Sequence, residues 1–190
     1  MSEFFKKIKE MSQQYKGYYA IKIVWVGMAG VGKTTIIKRL TEPENLNFKE
    51  TTPTMGYDVN ELKDAETGIT FLHWDMGGHE AYVDQFWDTN LANAHAVVFV
   101  VDASARDLVE RAKTYLWGRV MNRTGADDVP TLVLYNKQDL EDVMSREDLD
   151  QAFEADKLQR RSVGVFETSA YTFQGLDESM EWLYKRLTEW

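Results

Sequence analysis

The chain predicts an α/β fold, a mostly parallel sheet layered between helices. Three observations carry this. Short apolar runs recur along the 190 residues, among them Ala20 to Val26, Ala96 to Val101 and Thr131 to Tyr135. Such runs are the mark of strands buried on both faces. They alternate with segments whose apolar residues repeat at helical spacing. The first run leads through Gly27-Met28-Ala29-Gly30-Val31-Gly32-Lys33-Thr34-Thr35 into Ile36, Ile37 and Leu40, which reads as strand, glycine loop, helix.

That context makes G-x-x-x-x-G-K-T a phosphate-binding loop. Glycines let successive N–H groups turn inward as a nest for anionic oxygens, and the following helix adds its positive N-terminus. Lys33 supplies a cation for β- and γ-phosphates, and the Thr34 hydroxyl suits Mg²⁺.

Composition bounds the rest. Hydrophobic residues make up 44% and charged residues 28%, the balance of one globular domain with a single core. Cysteine is absent, which excludes disulfides, thiolate metal sites and cysteine-linked lipids. No apolar run approaches the length of a membrane span and no secretory h-region is visible, so a cytoplasmic location is expected. The net charge of −9 argues against a nucleic-acid partner, which needs a basic face. Residues 1–22 nevertheless carry +3 and the rest −12. The expected organisation is an N-terminal extension over 1–18 and a globular domain over 19–190.

Within the extension, Phe4, Phe5, Ile8, Met11 and Tyr15 fall on one helical stripe with Lys6, Lys7 and Lys9 between them. Such a helix can lie in a membrane interface or pack on its own domain. Ser2 excludes N-myristoylation. The first strand is Ala20 to Val26 and the first helix Lys33 to Leu40. Residues 42–56 form a long loop, which in a compact domain points to function. Tyr57 to Leu62 and Ile69 to Trp74 are joined by only six residues, too few for a parallel crossover, so they make an antiparallel hairpin. Ala96 to Val101 is the next strand, closed by Asp102. A helix is expected over Arg106 to Thr124, with Leu108, Ala112, Tyr115 and Leu116 inward. Thr131 to Tyr135 is followed by a charged helix over Ser145 to Lys157, a short strand over Val163 to Phe166, and a closing helix marked by Leu176, Met180, Leu183 and Leu187.

Ligands of open α/β sheets bind beyond the carboxyl ends of the strands. The loop from Gly27, Asp75 to His79, Asn136 to Asp139 and Ser169-Ala170 all lie at such ends and converge on one ligand. Asp139 only accepts hydrogen bonds and suits the adjacent N1 and N2 donors of guanine. A site built on that pairing rejects adenine, because its carboxylate would be left unpaired. Asn136 can brace the loop and reach the other edge of the base, and the Lys137 stem covers the ring. Asp75 suits a contact to Mg²⁺ through water. The Gly78 N–H can approach a γ-phosphate, and Thr54 offers its hydroxyl and carbonyl to Mg²⁺ and an attacking water. Both contacts need the third phosphate, which makes these loops candidate switches.

In this order and spacing, GMAGVGKTT, PTMGYDV, WDMGGHE, NKQD and ETSA resemble the Arf/Sar branch of small GTPases, over roughly residues 20–190. The resemblance implies a three-layer sandwich around a six-stranded sheet with one antiparallel strand. It implies phosphate binding by Gly27, Ala29, Gly30, Val31, Gly32, Lys33, Thr34 and Thr35. It also implies Mg²⁺ at Thr34 and Thr54, and guanine at Asn136, Lys137, Asp139 and Ala170, with Ser169 beside them. The expected activity is slow hydrolysis of GTP to GDP, with an exchange factor, an activating protein and effectors as partners.

Three departures matter. His79 stands where most of the family has the glutamine that orients the attacking water. Histidine there resembles Sar-type members and can take the same role, with Lys33, Thr54 and Gly78 completing the reacting end. The alternative is an exposed histidine without catalytic duty. No arginine lies between Glu42 and Gly56, and Thr52 occupies the place of the built-in arginine of Gα proteins. The segment from His79 to Val97 is one residue longer than in typical members, judged by where Phe86-Trp87 falls. The resemblance also implies that residues 1–16 bind a membrane surface in one nucleotide state, coupled to the hairpin between the switches. His73 and His95 lack motif context and are expected to be structural. The competing function is a docking module that holds GTP without turnover; a small-molecule kinase is weaker, since N-K-x-D has no role in one.

Overall fold

A computed structural model describes residues 20–42, 51–63, 69–123, 125–158 and 162–187. The amphipathic stretch within 1–18, residues 43–50 of the long loop and the turn over 64–68 lie outside the described residues.

Among the described residues six strands form one sheet in the order β2-β3-β1-β4-β5-β6. They are β1 (Ala20–Val26), β2 (Tyr57–Lys63), β3 (Thr70–Met76), β4 (Ala96–Asp102), β5 (Thr131–Asn136) and β6 (Val163–Glu167). All neighbours are parallel except β2 and β3, which pair antiparallel from Tyr57↔Met76 to Lys63↔Thr70. The hairpin and the mostly parallel sheet are therefore as the sequence predicts.

The core lies in the middle of the sheet. Ile23 to Val26, Ala96 to Val100 and Leu132 to Tyr135 are fully buried, because helices cover both faces of central parallel strands. The edge strand β2 reads YDVNELK and is largely exposed. Charged and polar residues on an edge discourage pairing with another chain.

The helices are α1 (Lys33–Thr41), α2, α3, α4 (Arg146–Phe153), α5 (Ala155–Leu158) and α6 (Leu176–Arg186). Helix α2 was not read from the sequence. It starts as Glu80–Tyr82, widens to π geometry over Val83–Trp87 and closes as Asp88–Leu91. A π turn spends five residues where an α turn spends four. The wider turn spans Val83–Trp87 with both of those end residues in the core. Trp87 stays fully buried and its indole N–H donates to the Gly77 carbonyl at 3.1 Å.

Two helices depart from expectation. The one expected over Arg106 to Thr124 is a 3₁₀ turn (Arg106–Leu108), an α segment (Val109–Tyr115) and a π segment (Leu116–Met121), together α3. The one expected over Ser145 to Lys157 breaks at Glu154, whose backbone is left-handed (φ 56), so α4 and α5 are separate. Ser145 caps α4 by accepting the Asp148 N–H at 3.1 Å, satisfying a donor the helix leaves open.

His73 and His95 are structural, as expected. The Trp25 indole N–H donates to His73 Nδ1 at 3.0 Å, and His95 Nδ1 accepts the Lys22 amide at 2.9 Å. His73 is fully buried, and burial lowers its pKa to about 4. In the unfolded chain this ring takes a proton below about 6.5; in the fold it stays neutral until about pH 4. The unfolded state therefore binds more protons across that window, and stability falls as pH drops from 6.5 to 4, by on the order of 3 kcal/mol from this group. His73→Gln, which keeps an acceptor for Trp25 but does not titrate there, is expected to flatten this part of the curve. Urea unfolding between pH 4 and 7 measures it, and an unchanged slope would show that His73 does not contribute.

Candidate nucleotide site

A cavity of about 690 Å³ opens at the carboxyl ends of β1, β3, β5 and β6. Its wall is formed by Ala29, Gly30, Gly32, Lys33, Thr34, Thr35, Thr54, Gly78, His79, Asn136, Lys137, Asp139 and Ala170, all expected site residues. Thr51, Thr52, Pro53, Met55, Tyr82 and Tyr171 also line it. Gly27, Val31, Asp75 and Ser169, also expected site residues, do not line it.

The glycine loop has to pass close to the sheet before it turns. At Gly27 (φ +142) a Cβ would lie 2.3 Å from the Val100 carbonyl oxygen, and at Gly32 (φ +100) 2.4 Å from Asn136 Nδ2. No side chain fits either place. The loop's backbone can therefore curl as a nest only with glycine at these positions.

Lys33 points back along this loop, its ammonium donating to the Gly27 and Met28 carbonyls at 2.9 Å each. Burial lowers its pKa to about 8, against the opposing pull of Asp75. Asp75 is fully buried at the end of β3. Burial raises its pKa, while hydroxyl donors and Lys33 oppose the rise. The Thr34 hydroxyl donates to Asp75 Oδ2 at 2.5 Å, and the Thr54 hydroxyl does so at 3.1 Å. The two threonine oxygens lie 3.1 Å apart, and Asp75 Oδ1 is buried with no hydrogen-bond partner among the described residues. Three hard oxygen donors and an orphaned carboxylate oxygen beside a phosphate loop suit a magnesium ion.

Two loops close on this end. Gly77 N–H donates to the Gly56 carbonyl at 2.8 Å, tying the segment after β3 to the segment before β2. Gly78 lies directly against the phosphate loop: a Cβ there would come within 2.3 Å of Met28 C and 2.4 Å of the Ala29 nitrogen. His79 follows, exposed at the cavity and heading α2, where its carbonyl accepts the Tyr82 N–H at 2.9 Å.

At the other end Asn136 is a brace. Its Nδ2 donates to the Val31 carbonyl at 2.8 Å, while Oδ1 accepts from the Ala170 amide at 3.1 Å and the Thr168 hydroxyl at 3.4 Å. Both polar atoms are thus engaged within the protein, fastening the glycine loop to the loop after β6. The bracing role is the one these bonds describe, and Asn136 also lines the cavity, with one Nδ2 hydrogen outside the bond to Val31. Ser169 donates to Asp139 Oδ1 at 2.5 Å and accepts the Tyr171 and Thr172 amides, so it aims the carboxylate. Lys137 adopts a left-handed backbone (φ 73), which costs a non-glycine residue on the order of 1 kcal/mol.

The Lys137 ammonium is held by Asp102 Oδ2 at 2.6 Å. Burial pushes the Asp102 carboxyl up, but the Lys137 and Ser104 donors outweigh it and hold its pKa below the usual range. Sequence reasoning marked Asp102 only as a strand end. Its signal was there: a carboxylate closing a strand beside the one that ends in N-K-x-D.

The family model described as the ADP-ribosylation factor family matches residues 4–187. The chain belongs to the ADP-ribosylation factor (Arf) family. It is 31% identical over 173 residues to ADP-ribosylation factor-like protein 1 of Caenorhabditis elegans, covering 91% of this chain and 92% of that protein. It is 30% identical over 189 residues to ADP-ribosylation factor-like protein 3 of Saccharomyces cerevisiae, covering 96% and 93%. ADP-ribosylation factor-related protein 1 of Bos taurus is 31% identical, covering 90% and 85%. In fold the chain is similar to the Arl6 BBS3 small GTPase of Trypanosoma brucei, solved with a bound GppNp analogue, with a TM-score of 0.77 over 90% of this chain and 98% of that one at 24% identity. As an Arf-family small GTPase it is a GTP-binding switch protein.

The brace generates a prediction. Asn136→Ala leaves the Ala170 amide and Val31 carbonyl without their partner in a buried place, which costs about 1–3 kcal/mol. Chemical unfolding of the variant is expected to show a loss of that size, and guanine-nucleotide affinity should fall with it. A variant as stable as the parent would mean that the brace is not a fastening.

Proposed function

We propose that the chain binds GTP and GDP with Mg²⁺ and hydrolyses GTP slowly, and that nucleotide state governs effector binding and attachment to a membrane surface. The observation that carries this reading is the meeting of Thr34, Thr54 and Asp75 at the phosphate end, with Gly78 against the glycine loop. They come from three separate segments, with Asp75 and Gly78 sharing one, and a γ-phosphate with its cation is the ligand that would engage all of them.

The roles follow from the geometry. The glycine-loop amides and the Lys33 ammonium hold the phosphates and stabilise the charge that develops on the transferring group. Thr34 and Thr54 would hold Mg²⁺ directly, with Asp75 behind them, and the ion would neutralise phosphate charge. Gly78 presents its N–H to the γ-phosphate. His79, one residue on, orients the attacking water. Asp139, aimed by Ser169, pairs with the guanine N1 and N2 donors, and the Lys137 stem lies over the ring.

The long loop carries no arginine between Glu42 and Gly56, and Thr52 lines the cavity in the place of one. Hydrolysis by the chain alone is therefore slow, and an activating protein that lends an arginine would raise it by about 10³–10⁵. An exchange factor would release GDP, since the cavity closes around the phosphate end. Among the described residues no helix is long and apolar enough to cross a membrane. Attachment would rest on the apolar and lysine stripe within residues 1–16, a weak and reversible anchor in the absence of a lipid.

One observation favours a second reading. Thr54 is bonded to Asp75 and Gly77 to Gly56 by the protein's own groups, bonds that add to whatever a third phosphate supplies in holding these loops. That suits a module that keeps GTP and docks partners. Identifying the nucleotide carried by purified protein, then following single-turnover hydrolysis, separates the two. Bound GDP and measurable turnover support the switch; bound GTP with none supports the module.

His79→Ala is expected to slow single-turnover hydrolysis by about tenfold or more, as lost orientation of a reacting group does, with GTP affinity kept. An unchanged rate would remove His79 from the mechanism. Gly78→Ala places a methyl where loop backbone lies within 2.4 Å. It is expected to leave GDP binding within a few-fold while GTP loses its advantage over GDP, as read by competition titration.

A further inference from the structure

Four aromatic rings run from the exposed edge of the sheet to His79. Tyr57, at the start of β2, stacks on Trp74 of β3 with ring centroids 5.2 Å apart. The same Tyr57 ring meets Phe86 edge-on at 5.8 Å, and Phe86 lies 6.2 Å from Tyr82. Tyr82 in turn meets the His79 imidazole at 6.2 Å and 61°, an edge-to-face approach. Such pairs hold a preferred mutual orientation.

The backbone is shaped around this series. A Cβ at Gly77 would lie 2.8 Å from Tyr82 Cδ2, and one at Gly56 3.6 Å from Phe86 Cε2. The π segment Val83–Trp87 lets α2 keep Trp87 in the core while Phe86 reaches Tyr57. Tyr82 itself lines the nucleotide cavity beside His79, and nothing in its motif context singles it out.

We propose that Tyr82 is the positioning residue for His79: its ring, held by Phe86, keeps the imidazole turned toward the phosphate end of the cavity. An exposed histidine side chain otherwise samples several rotamers, and a poorly oriented group forfeits most of what orientation contributes. The proposal rests on the reading of His79 as the residue that orients water.

The experiment combines single-turnover GTP hydrolysis with the proton spectrum of the His79 ring, using the full chain with Mg²⁺. In Tyr82→Ala the rate is expected to fall about tenfold with GTP affinity within twofold. The His79 ring resonances should move, since a neighbouring aromatic ring has gone. Tyr82→Phe, which keeps the ring, should restore most of the rate and the resonance positions. In the His79→Ala background, Tyr82→Ala should add no further loss. A further loss there, or an unmoved His79 resonance in Tyr82→Ala, overturns the positioning role. If His79→Ala alone leaves hydrolysis unchanged, the reading of His79 fails instead, and moved resonances in Tyr82→Ala would then show that the ring contact stands without a catalytic use.

Discussion

A lysine and a carboxylate buried at the end of the sheet set the terms for everything around them. Lys33 and Asp75 sit at 6% and 0% exposure. Burial works against the charged form of each, lowering the one pKa and raising the other. Removing charges from water costs several kcal/mol unless partners replace it. Here two backbone carbonyls serve Lys33 and two threonine hydroxyls serve one oxygen of Asp75, while the other oxygen has none among the described residues. A polyphosphate with its cation would supply what is lacking: anionic oxygens for Lys33 and a positive charge near Asp75. Whatever binds the fold and not the unfolded chain also stabilises it, so ligand affinity and fold stability at this rim are one quantity.

The same requirement explains why the switch segments are where they are. Thr54 and Gly78 belong to loops with little core of their own, and the loops are tied to the domain chiefly at the phosphate end. Gly77 to Gly56 is the only backbone bond that joins the two loops among the described residues, and it lies next to both contact points. Loops with few buried contacts open at low cost. A segment held by a ligand's last phosphate and otherwise loosely held is one that its loss releases. Helix α2 is anchored differently. Arg119 bridges Asp84 and Asp88 at 2.5 and 2.7 Å, Arg111 pairs with Glu80, and Trp87 packs on Tyr115. The ion pairs are largely exposed and each contributes little. The buried Val83 and Trp87 side chains are the fixed points of this helix.

How much of this the sequence discloses depends on the range of the interaction involved. The glycine loop, the hairpin and the buried strands are legible because their causes are local: a glycine spacing, a six-residue connection, apolar runs. Asp139 and Thr34 are legible because their residue types match the chemistry of a ligand. Helix α2 was missed although Val83, Trp87 and Leu91 recur every four residues, since the π turn displaces Phe86 from that stripe. Asn136 reads as a brace from its motif, but that it fastens Val31 over a separation of 105 residues is known only from the fold. Asp102 and Ser169 were visible only as ends of strands or parts of motifs, because what they do is aim Lys137 and Asp139 across the fold. Contacts of that kind exist only once the sheet order is known.

The sheet order also accounts for the position of the hairpin between the two switches. In the order β2-β3-β1-β4-β5-β6, the edge pair is hydrogen-bonded into the sheet through β3 against β1 among the described residues. Its one free side is the exposed face of β2. The segment leading into β2 carries Thr54, and β3 ends in Asp75 and runs on to Gly78. A change at the phosphate end therefore reaches both strands of the hairpin at their ends, with no central strand in the way. Central strands are bound on both sides and packed on both faces, so they cannot follow. A parallel sheet with its phosphate loop on β1 and an antiparallel pair at the adjoining edge thus puts one element in line with both of the loops that carry Thr54 and Gly78. Met55, just ahead of this element, and Tyr57 and Val59 on it are exposed, at the side away from the central strands.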